Sequence, residues 1–335
     1  MNHWKETAEI LSRLAELRAA GRRAALATVV RIVGSAYRRP GAKFLIEENG
    51  ETLGSVSGGC LEADVREVAK AVMVTGAPSL RHYSTGTDED IVWGLGLGCN
   101  GLVDVFIQPA TEGPLAEMVG RLRELLAGDS TFAIATVLDG DEAGATDVAA
   151  AEGALPGVQT IGDRQVFVEV LPPPPHLIVC GAGDDARPLV AYAADAGFRV
   201  TLVDHRQGLM QPSWFPQAAR LILARPEEPI DLPSASRSLA VVKTHSLNHD
   251  REWVRRLLAA GLPYIGVLGP RARTENILRE IGREGDERVY GPVGLDLGAD
   301  GPRQVALAIV AELLAFTAQR EPRHLSERRE AIHAG

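Results

Sequence analysis

Residues 176–206 read HLIVCGAGDDARPLVAYAADAGFRVTLVDHR, and this stretch decides the fold of the second half of the chain. An apolar run, a glycine turn, a helix-like segment and a second apolar run follow one another, which predicts a β–α–β unit. Gly181 and Gly183 make the turn, Ala186 takes the third small position, and Asp204 ends the second strand at the spacing where an acid commonly meets a ribose hydroxyl. The pattern therefore predicts a Rossmann-type unit in which Gly181, Gly183 and Asp204 are candidate nucleotide-binding residues.

The same turn also carries two acids that argue against a bound dinucleotide. Asp184 and Asp185 lie where a pyrophosphate would sit, and carboxylates there would repel it. Later apolar runs continue the alternation of strands and helices, so the sequence predicts a doubly wound parallel sheet. His245 follows one of these strands, on the side where such sheets hold ligands. The pattern thus predicts the fold and leaves NAD(P) binding open, with His245 a candidate site residue by its position.

Four consecutive prolines, Pro172–Pro175, stand immediately before this unit and predict a stiff, extended linker. A chain of 335 residues is long enough for two domains. We expect an α/β protein with a mixed α/β domain over 1–171, the proline linker, a Rossmann-like domain over 176–320 and a charged tail over 321–335. Within the first domain, segment 139–157 is rich in glycine, alanine and acids, and we expect a mobile surface segment there.

Composition argues against several classes of function. The chain is 45% hydrophobic and 24% charged, as ordinary globular proteins are, and its net charge of −9 argues against broad nucleic-acid binding. Its 3 cysteines are too few for a disulfide framework, form no CxxC pair and fit a reducing cytoplasm. No apolar run approaches the roughly 18 residues of a membrane span, so we expect a cytoplasmic protein without one.

The first half of the chain carries its most informative chemistry at Ser57–Asp64, SGGCLEAD. Gly58 and Gly59 predict a tight turn, and Cys60 is expected to open the helix that follows. Helix starts present unpaired N–H groups and a partial positive charge, which make a thiol there more reactive than an ordinary buried thiol. Glu62 falls in the first helical turn, where an acid also favours the helix dipole. The alternative interpretation is a structural turn in which Cys60 is a small core residue.

Two more loops of the first half are candidate parts of the same site. The segment GSAYRRPGAK brings Arg38 and Arg39 into a loop with glycine and proline, and arginines suit phosphate or planar polar ligands. The segment WGLGLGCNG alternates glycine with apolar residues up to Cys99 and Asn100, which is typical of a loop close to a ligand or to another backbone. A solvated hairpin tip and a structural glycine turn are the respective alternatives.

Taken in order, these motifs resemble those of one known family. The matching segments lie in both halves of the chain and are GSAYRRPGAK, SVSGGCLEADV, WGLGLGCNG, GAGDDARPL, VDHR, KTH, YIGVLGPRAR and PVGLDLGA. They are similar to segments of the XdhC/CoxI family, accessory proteins for xanthine dehydrogenase, carbon monoxide dehydrogenase and related molybdenum hydroxylases. Xanthine-dehydrogenase-type members often carry a histidine in the region of Asp184 and Asp185, so the chain resembles the CoxI-like branch most.

The resemblance implies a chaperone that binds molybdenum cofactor, in its molybdopterin or dinucleotide form, protects it during maturation, including sulfuration, and delivers it to an apo molybdenum hydroxylase. A cysteine desulfurase and a second copy of the chain are further candidate partners. Cys60 is then the first candidate for a molybdenum ligand, because thiolates suit soft metals. The other candidate cofactor-binding residues are Gly58, Gly59, Glu62, Arg38, Arg39, Cys99, Asn100, Gly181, Gly183, Asp204 and His245.

Two other functions stay open at this point. The first is an NAD(P)-dependent oxidoreductase that uses the Rossmann unit, with His245 as the acid or base. Against it stand Asp184, Asp185 and the lack of a clear catalytic dyad in the sequence. The second is an interaction scaffold in which the glycine loops have structural roles alone.

Overall fold

A computed structural model describes residues 4–34, 36–84, 101–233 and 237–327 of the chain. The chain divides into two compact units, Asn2–Pro173 and Pro174–Gly335, and the division falls inside the proline run. Each unit has its own hydrophobic clusters. Among the described residues, no helix combines the length and the apolarity that crossing a bilayer requires.

The first unit combines helices with two antiparallel sheets. In chain order, its elements are α1 (Trp4–Ala19), β1 (Ala24–Gly34), β2 (Lys43–Glu47), β3 (Thr52–Gly54), α2 (Glu62–Thr75), β4 (Ser79–Ser84), β5 (Gly101–Pro109), α3 (Gly113–Ala127), β6 (Phe132–Val137), β7 (Thr146–Ala150), β8 (Gly157–Ile161) and β9 (Arg164–Leu171). One sheet has the order β3-β2-β1-β5-β4 and the other has the order β7-β6-β9-β8. The mixed α/β character expected for this half is therefore observed.

Strand β1 lies at the centre of the five-stranded sheet and is buried on both faces over most of its length, because helices cover each face. Leu26 packs on one side with Leu14 of α1 and Leu122 of α3. Ala27 packs on the other side with Val65 of α2. The apolar residues of α2 recur every three or four positions, so the helix buries one face against the sheet and leaves the other in solvent.

One expectation for this unit is wrong, and the structure makes a second one more exact. Segment 139–157, expected to be a mobile surface segment, contains β7 and the first residue of β8. Strand β7 pairs with β6, and Val148 is its one buried residue. Because the residues around Val148 are small or acidic, the sequence shows no strand pattern there. Helix α2 begins at Glu62 with Leu61 as its N-cap residue, so Cys60 lies in the turn directly before the helix start that the sequence predicts.

The second unit is a parallel sheet with helices on both faces. In chain order, its elements are β10 (His176–Cys180), α4 (Ala186–Asp195), β11 (Arg199–Asp204), β12 (Arg220–Leu223), β13 (Ser238–Val242), α5 (Leu247–Ala259), β14 (Tyr264–Val267), α6 (Arg271–Glu280), β15 (Val289–Tyr290) and α7 (Gly301–Thr317). The strand order is β12-β11-β10-β13-β14-β15, and all five pairings are parallel. This is the order of a doubly wound Rossmann sheet, so the predicted fold of this half is confirmed.

Alternate residues of β10 enter different layers of the second unit. Val179 joins the cluster formed with α4 and α7, whereas Cys180 joins the cluster formed with α5 and α6. The central position of β10 also sets the position of the loops. Because neighbouring parallel strands end at the same edge, the residues at the ends of β10, β11 and β13 and directly after them meet there. Asp204 is the last residue of β11, Gly181 follows β10, and Lys243 follows β13.

Candidate functional site

The turn before α2 holds Cys60 through hydrogen bonds to its own backbone. The Ser57 hydroxyl oxygen accepts hydrogen bonds from the N–H groups of Gly59 and Leu61, each at 3.1 Å. The Glu62 carboxylate accepts a bond of 2.8 Å from the Ser57 N–H and another from the Ser57 hydroxyl. These contacts fix the turn around Cys60, and Cys60 itself is partly exposed.

Glu62 is a buried acid that holds this turn together. Burial raises the pKa of Glu62, but hydrogen bonds from the Ser57 hydroxyl and from the N–H groups of Ser57 and Val56 outweigh it and hold the pKa below its ordinary value. The carboxylate is therefore ionised at neutral pH and faces the loop backbone. Among the predicted site residues, Glu62 therefore has a structural role: its carboxylate holds the backbone of Val56 and Ser57 beside the Cys60 turn.

The basic loop of residues 36–41 lies beside the Cys60 turn. A Cβ atom added to Gly58 would lie 3.8 Å from Cγ of Tyr37, whose side chain is 70% exposed. Arg38 is directed elsewhere, since its guanidinium donates to both carboxylate oxygens of Glu6 in α1, at 2.6 and 2.8 Å. Arg39 is exposed. The loop therefore adjoins the Cys60 turn, and the ion pair of Arg38 with Glu6 links the loop to α1.

Of the other two cysteines, only Cys180 lies within the described residues. Cys99 and Asn100 lie outside the described residues. Cys180 is fully buried at the end of β10, and burial raises the pKa of its thiol, so it is an unreactive core residue. Within the described ranges, no group of three or more His, Cys, Asp and Glu side chains is arranged to hold a metal ion.

The second glycine turn, after β10, is packed against the neighbouring strand. Gly181 has φ of 119°, and a Cβ atom added there would lie 2.5 Å from the carbonyl oxygen of Lys243. Glycine is therefore required at this position by the packing of the sheet edge itself. The need for a glycine here consequently carries no information about a ligand.

Asp204 is buried and bound within the protein. One carboxylate oxygen accepts a bond of 2.7 Å from the N–H of Ala182, and the guanidinium of Arg206 donates to both oxygens, at 2.7 and 3.0 Å. Burial raises the pKa of Asp204, but the bonds from Arg206 and Ala182 outweigh it and lower the pKa to about 2. Asp204 takes the position of the acid that binds the ribose in dinucleotide-binding proteins. Here its carboxylate links the end of β11 to the glycine turn through the N–H of Ala182.

A cluster of three charged or titratable side chains fills the space beside Gly183. Lys243 Nζ lies 2.6 Å from one carboxylate oxygen of Asp185, and His245 Nε2 lies 3.3 Å from the other. Lys243 is only 2% exposed. Burial lowers its pKa, while the bond to Asp185 acts in the opposite direction. His245 has φ of 61°, a left-handed conformation that non-glycine residues rarely adopt.

Sequence reasoning found His245 and missed its partners. Lys243 directly follows a buried apolar strand, and a charged residue at that position is the signal that points to it. Asp185 is interpreted from the sequence as a residue that repels phosphate, whereas in the structure its carboxylate is paired with a buried ammonium group. The pairing joins residues 58 positions apart and so has no local signature.

Comparison with known proteins shows which proteins this chain is similar to. A family model described as the XdhC and CoxI family matches residues 17–84, and another, described as the XdhC Rossmann domain, matches residues 177–313. A protein of Bacillus subtilis (strain 168), named as a probable subunit of xanthine dehydrogenase, is 33% identical over 307 residues, which is 87% of this chain and 92% of the relative. The chain belongs to the XdhC and CoxI family.

Two further relatives of this XdhC and CoxI family protein are similar to it over nine tenths or more of its length. The molybdenum cofactor insertion chaperone PaoD of Escherichia coli (strain K12) is 26% identical over 309 residues, covering 90% of this chain and 86% of PaoD. A crystal structure of a xanthine dehydrogenase from Bacillus halodurans matches with a TM-score of 0.80 and 28% identity, over 96% of this chain and 97% of that chain. The fold described above is therefore one that a solved structure already displays.

Proposed function

We propose that this protein is an accessory protein that binds molybdenum cofactor at the Cys60 turn and delivers it to an apo molybdenum hydroxylase. One observation carries the proposal: Ser57 and Glu62 hold a glycine turn by hydrogen bonds, and the free cysteine Cys60 in that turn is partly exposed. The relatives support it, since one is named as a probable subunit of xanthine dehydrogenase and another as a molybdenum cofactor insertion chaperone.

The chemistry of the turn fits this cargo. Molybdenum cofactor combines a metal on a soft dithiolene with an anionic tail, and the thiolate of Cys60 is an apt ligand for such a metal. Gly58 and Gly59 are exposed and carry no side chain, so a flat ring can approach their backbone closely. The exposed Arg39 belongs to the adjoining loop and suits a phosphate group.

The second unit gives little support to the alternative, an NAD(P)-dependent oxidoreductase. Asp204 already binds Ala182 and Arg206, and Asp185 already fills the space beside Gly183. A dinucleotide would have to displace both carboxylates from these contacts. These contacts favour an accessory role over hydride transfer.

The proposal includes the partners and the location that such a role requires. The client is an apo molybdenum hydroxylase, such as xanthine or carbon monoxide dehydrogenase, and a cysteine desulfurase would supply sulfur for the cofactor before its release. The protein would act in the cytoplasm, and a homodimer is part of the proposal. Each of these points follows from the proposed role rather than from a contact within the chain.

Delivery is the direct test of the proposed function. Wild-type protein, Cys60→Ala and the matched control Cys180→Ala would each be exposed to released molybdenum cofactor and desalted. Each would then be mixed with apo xanthine dehydrogenase or apo carbon monoxide dehydrogenase. We expect wild type and Cys180→Ala to raise the molybdenum content of one re-isolated hydroxylase, and Cys60→Ala to fail. Equal delivery by Cys60→Ala and wild type, or no delivery by any of them, would contradict the proposal.

A further inference from the structure

The first unit contains a small interior cavity that is lined by both of its sheets. Residues of α1 and α3 complete the wall, and most of the lining residues are buried. The space open to the centre of a water molecule is about 40 Å³. One water needs roughly 10–15 Å³ by the same measure, so the cavity has room for about three waters and is too small for a cofactor.

The wall of this cavity is polar as well as apolar. Thr28 of β1, Gln108 of β5 and Thr136 of β6 line it, and each of them is less than a tenth exposed. Cavities that stay dry are lined by apolar side chains, whereas a buried water needs roughly two to four polar partners. Hydroxyl and amide groups from three strands therefore supply the partners that interior water requires.

Thr7 of α1 gives the most specific indication of a bound molecule. It lines the cavity and is 1% exposed, and its hydroxyl oxygen has no hydrogen-bond partner within the described part of the chain. A buried hydroxyl without a partner lowers stability, and such groups are rare in native proteins. A small polar molecule in the cavity that forms a hydrogen bond with Thr7 would remove that cost.

A buried ion pair forms another part of the wall. Lys43 Nζ donates to both carboxylate oxygens of Glu169, at 2.8 and 2.7 Å, and to the carbonyl oxygen of Gly41, at 3.0 Å. These three contacts match the three protons of the ammonium group, whereas a carboxylate can accept about four hydrogen bonds. Glu169 therefore has acceptor capacity that a water can use. Because the two charges of the pair balance, the wall favours a neutral ligand over an ion.

We propose that this cavity is a water-binding site, in which about three ordered waters connect the Thr7 hydroxyl with Glu169 and with the polar side chains of both sheets. Water-mediated hydrogen bonds are nearly as favourable as direct ones, so the waters fasten α1 to strands of both sheets. Lys43 also binds Gly41, so the same contacts support the end of the loop of residues 36–41. The site lies within the first unit and does not depend on the proposed role of Cys60.

Crystallography of the full chain tests the site directly. Wild type, Thr7→Val and Thr7→Ser would each be crystallised, and the electron density in the cavity would be compared. Thr7→Val keeps the shape of the side chain and removes the hydroxyl, whereas Thr7→Ser is the matched control that keeps the hydroxyl. We expect a water within hydrogen-bond distance of the hydroxyl in wild type and in Thr7→Ser, and the loss of that water in Thr7→Val.

Urea unfolding distinguishes a hydrated hydroxyl from an unpaired one. Threonine and valine have similar helix propensities, so the effect of Thr7→Val reports on the hydroxyl rather than on the helix. If water binds the hydroxyl, the substitution deprives that water of a partner, and the urea midpoint should fall below that of wild type. If the hydroxyl is unpaired, the substitution removes an unfavourable buried group, and the midpoint should rise.

The proposal is overturned if the density of wild type shows no water beside Thr7. It is also overturned if the urea midpoint of Thr7→Val equals or exceeds that of wild type. Since neither measurement involves Cys60 or molybdenum, failure here leaves the delivery experiment unaffected, and the converse also holds.

Discussion

The chain contains two glycine turns that each lead into a helix, Ser57–Leu61 before α2 and Gly181–Asp185 before α4. In the first turn, the acid Glu62 is directed into the loop backbone, and the thiol of Cys60 is left partly exposed. In the second, the acid Asp185 is directed into the turn itself and pairs with a buried lysine. The comparison teaches that the glycines alone do not define such a turn, because the adjacent carboxylate binds the loop backbone in one turn and a buried lysine in the other.

The first prediction compares the glycines of the two turns. Gly181→Ala should destabilise the protein by about 4 kcal/mol, because a positive φ is combined with a clash against the Lys243 carbonyl oxygen. Gly59→Ala has a similar φ of 113° and no heavy atom within 4 Å of its Cβ, so strain alone should cost about 2 kcal/mol. Urea unfolding of both variants measures the difference. Equal losses would mean that the packing of the second turn is not the cause.

The second prediction concerns the acid that supports the first turn. Glu62→Ala removes the acceptor of the Ser57 N–H and hydroxyl bonds and should lower the free energy of unfolding by about 3 kcal/mol. Asp64→Ala is the matched control on the same helix, because Asp64 is exposed and accepts a bond from Tyr83 at the surface. It should cost less than about 1 kcal/mol. A Glu62→Ala protein as stable as Asp64→Ala would show that the hydrogen bonds of Glu62 are unimportant for stability.

The third prediction is a pH dependence that belongs to the second turn. Asp204 has a pKa of about 2 in the fold, against 3.8 for the ordinary side chain. Its ionised form therefore contributes stability above about pH 4, and the contribution is lost as the pH falls through about 2. The stability difference between wild type and Asp204→Asn should shrink by about 2 kcal/mol across that range. Urea unfolding at several pH values measures it, and a difference that stays constant would contradict the assignment.

The sequence predicts the local features of both turns and not the long-range contacts that distinguish them. The alternation of apolar runs and glycines in residues 176–206 is local, and the Rossmann strand order follows from it. The proximity of Cys60 to Gly58 and Gly59 is local as well. The partner of Arg38 is Glu6, 32 positions away, and the partner of Asp185 is Lys243, 58 positions away. Such pairings depend on how helices and strands pack, and no short motif records them.

The wrong expectation for segment 139–157 has a physical origin of the same kind. Strand β7 has no sequence signal because its pairing with β6, rather than its own composition, gives it its structure. A contact made elsewhere in the unit thus overrides the local preference of the segment. The start of helix α2, by contrast, follows its local sequence, and Cys60 lies directly before it.

The retention of molybdenum by the protein itself tests the central claim most directly. Wild type, Cys60→Ala and Cys180→Ala would be incubated with released molybdenum cofactor and desalted, and their molybdenum and pterin contents would be measured. The partly exposed Cys60 in the first turn predicts that wild type and Cys180→Ala retain both, and that Cys60→Ala retains neither. Equal retention by Cys60→Ala and wild type would contradict the claim that the first turn holds the cofactor.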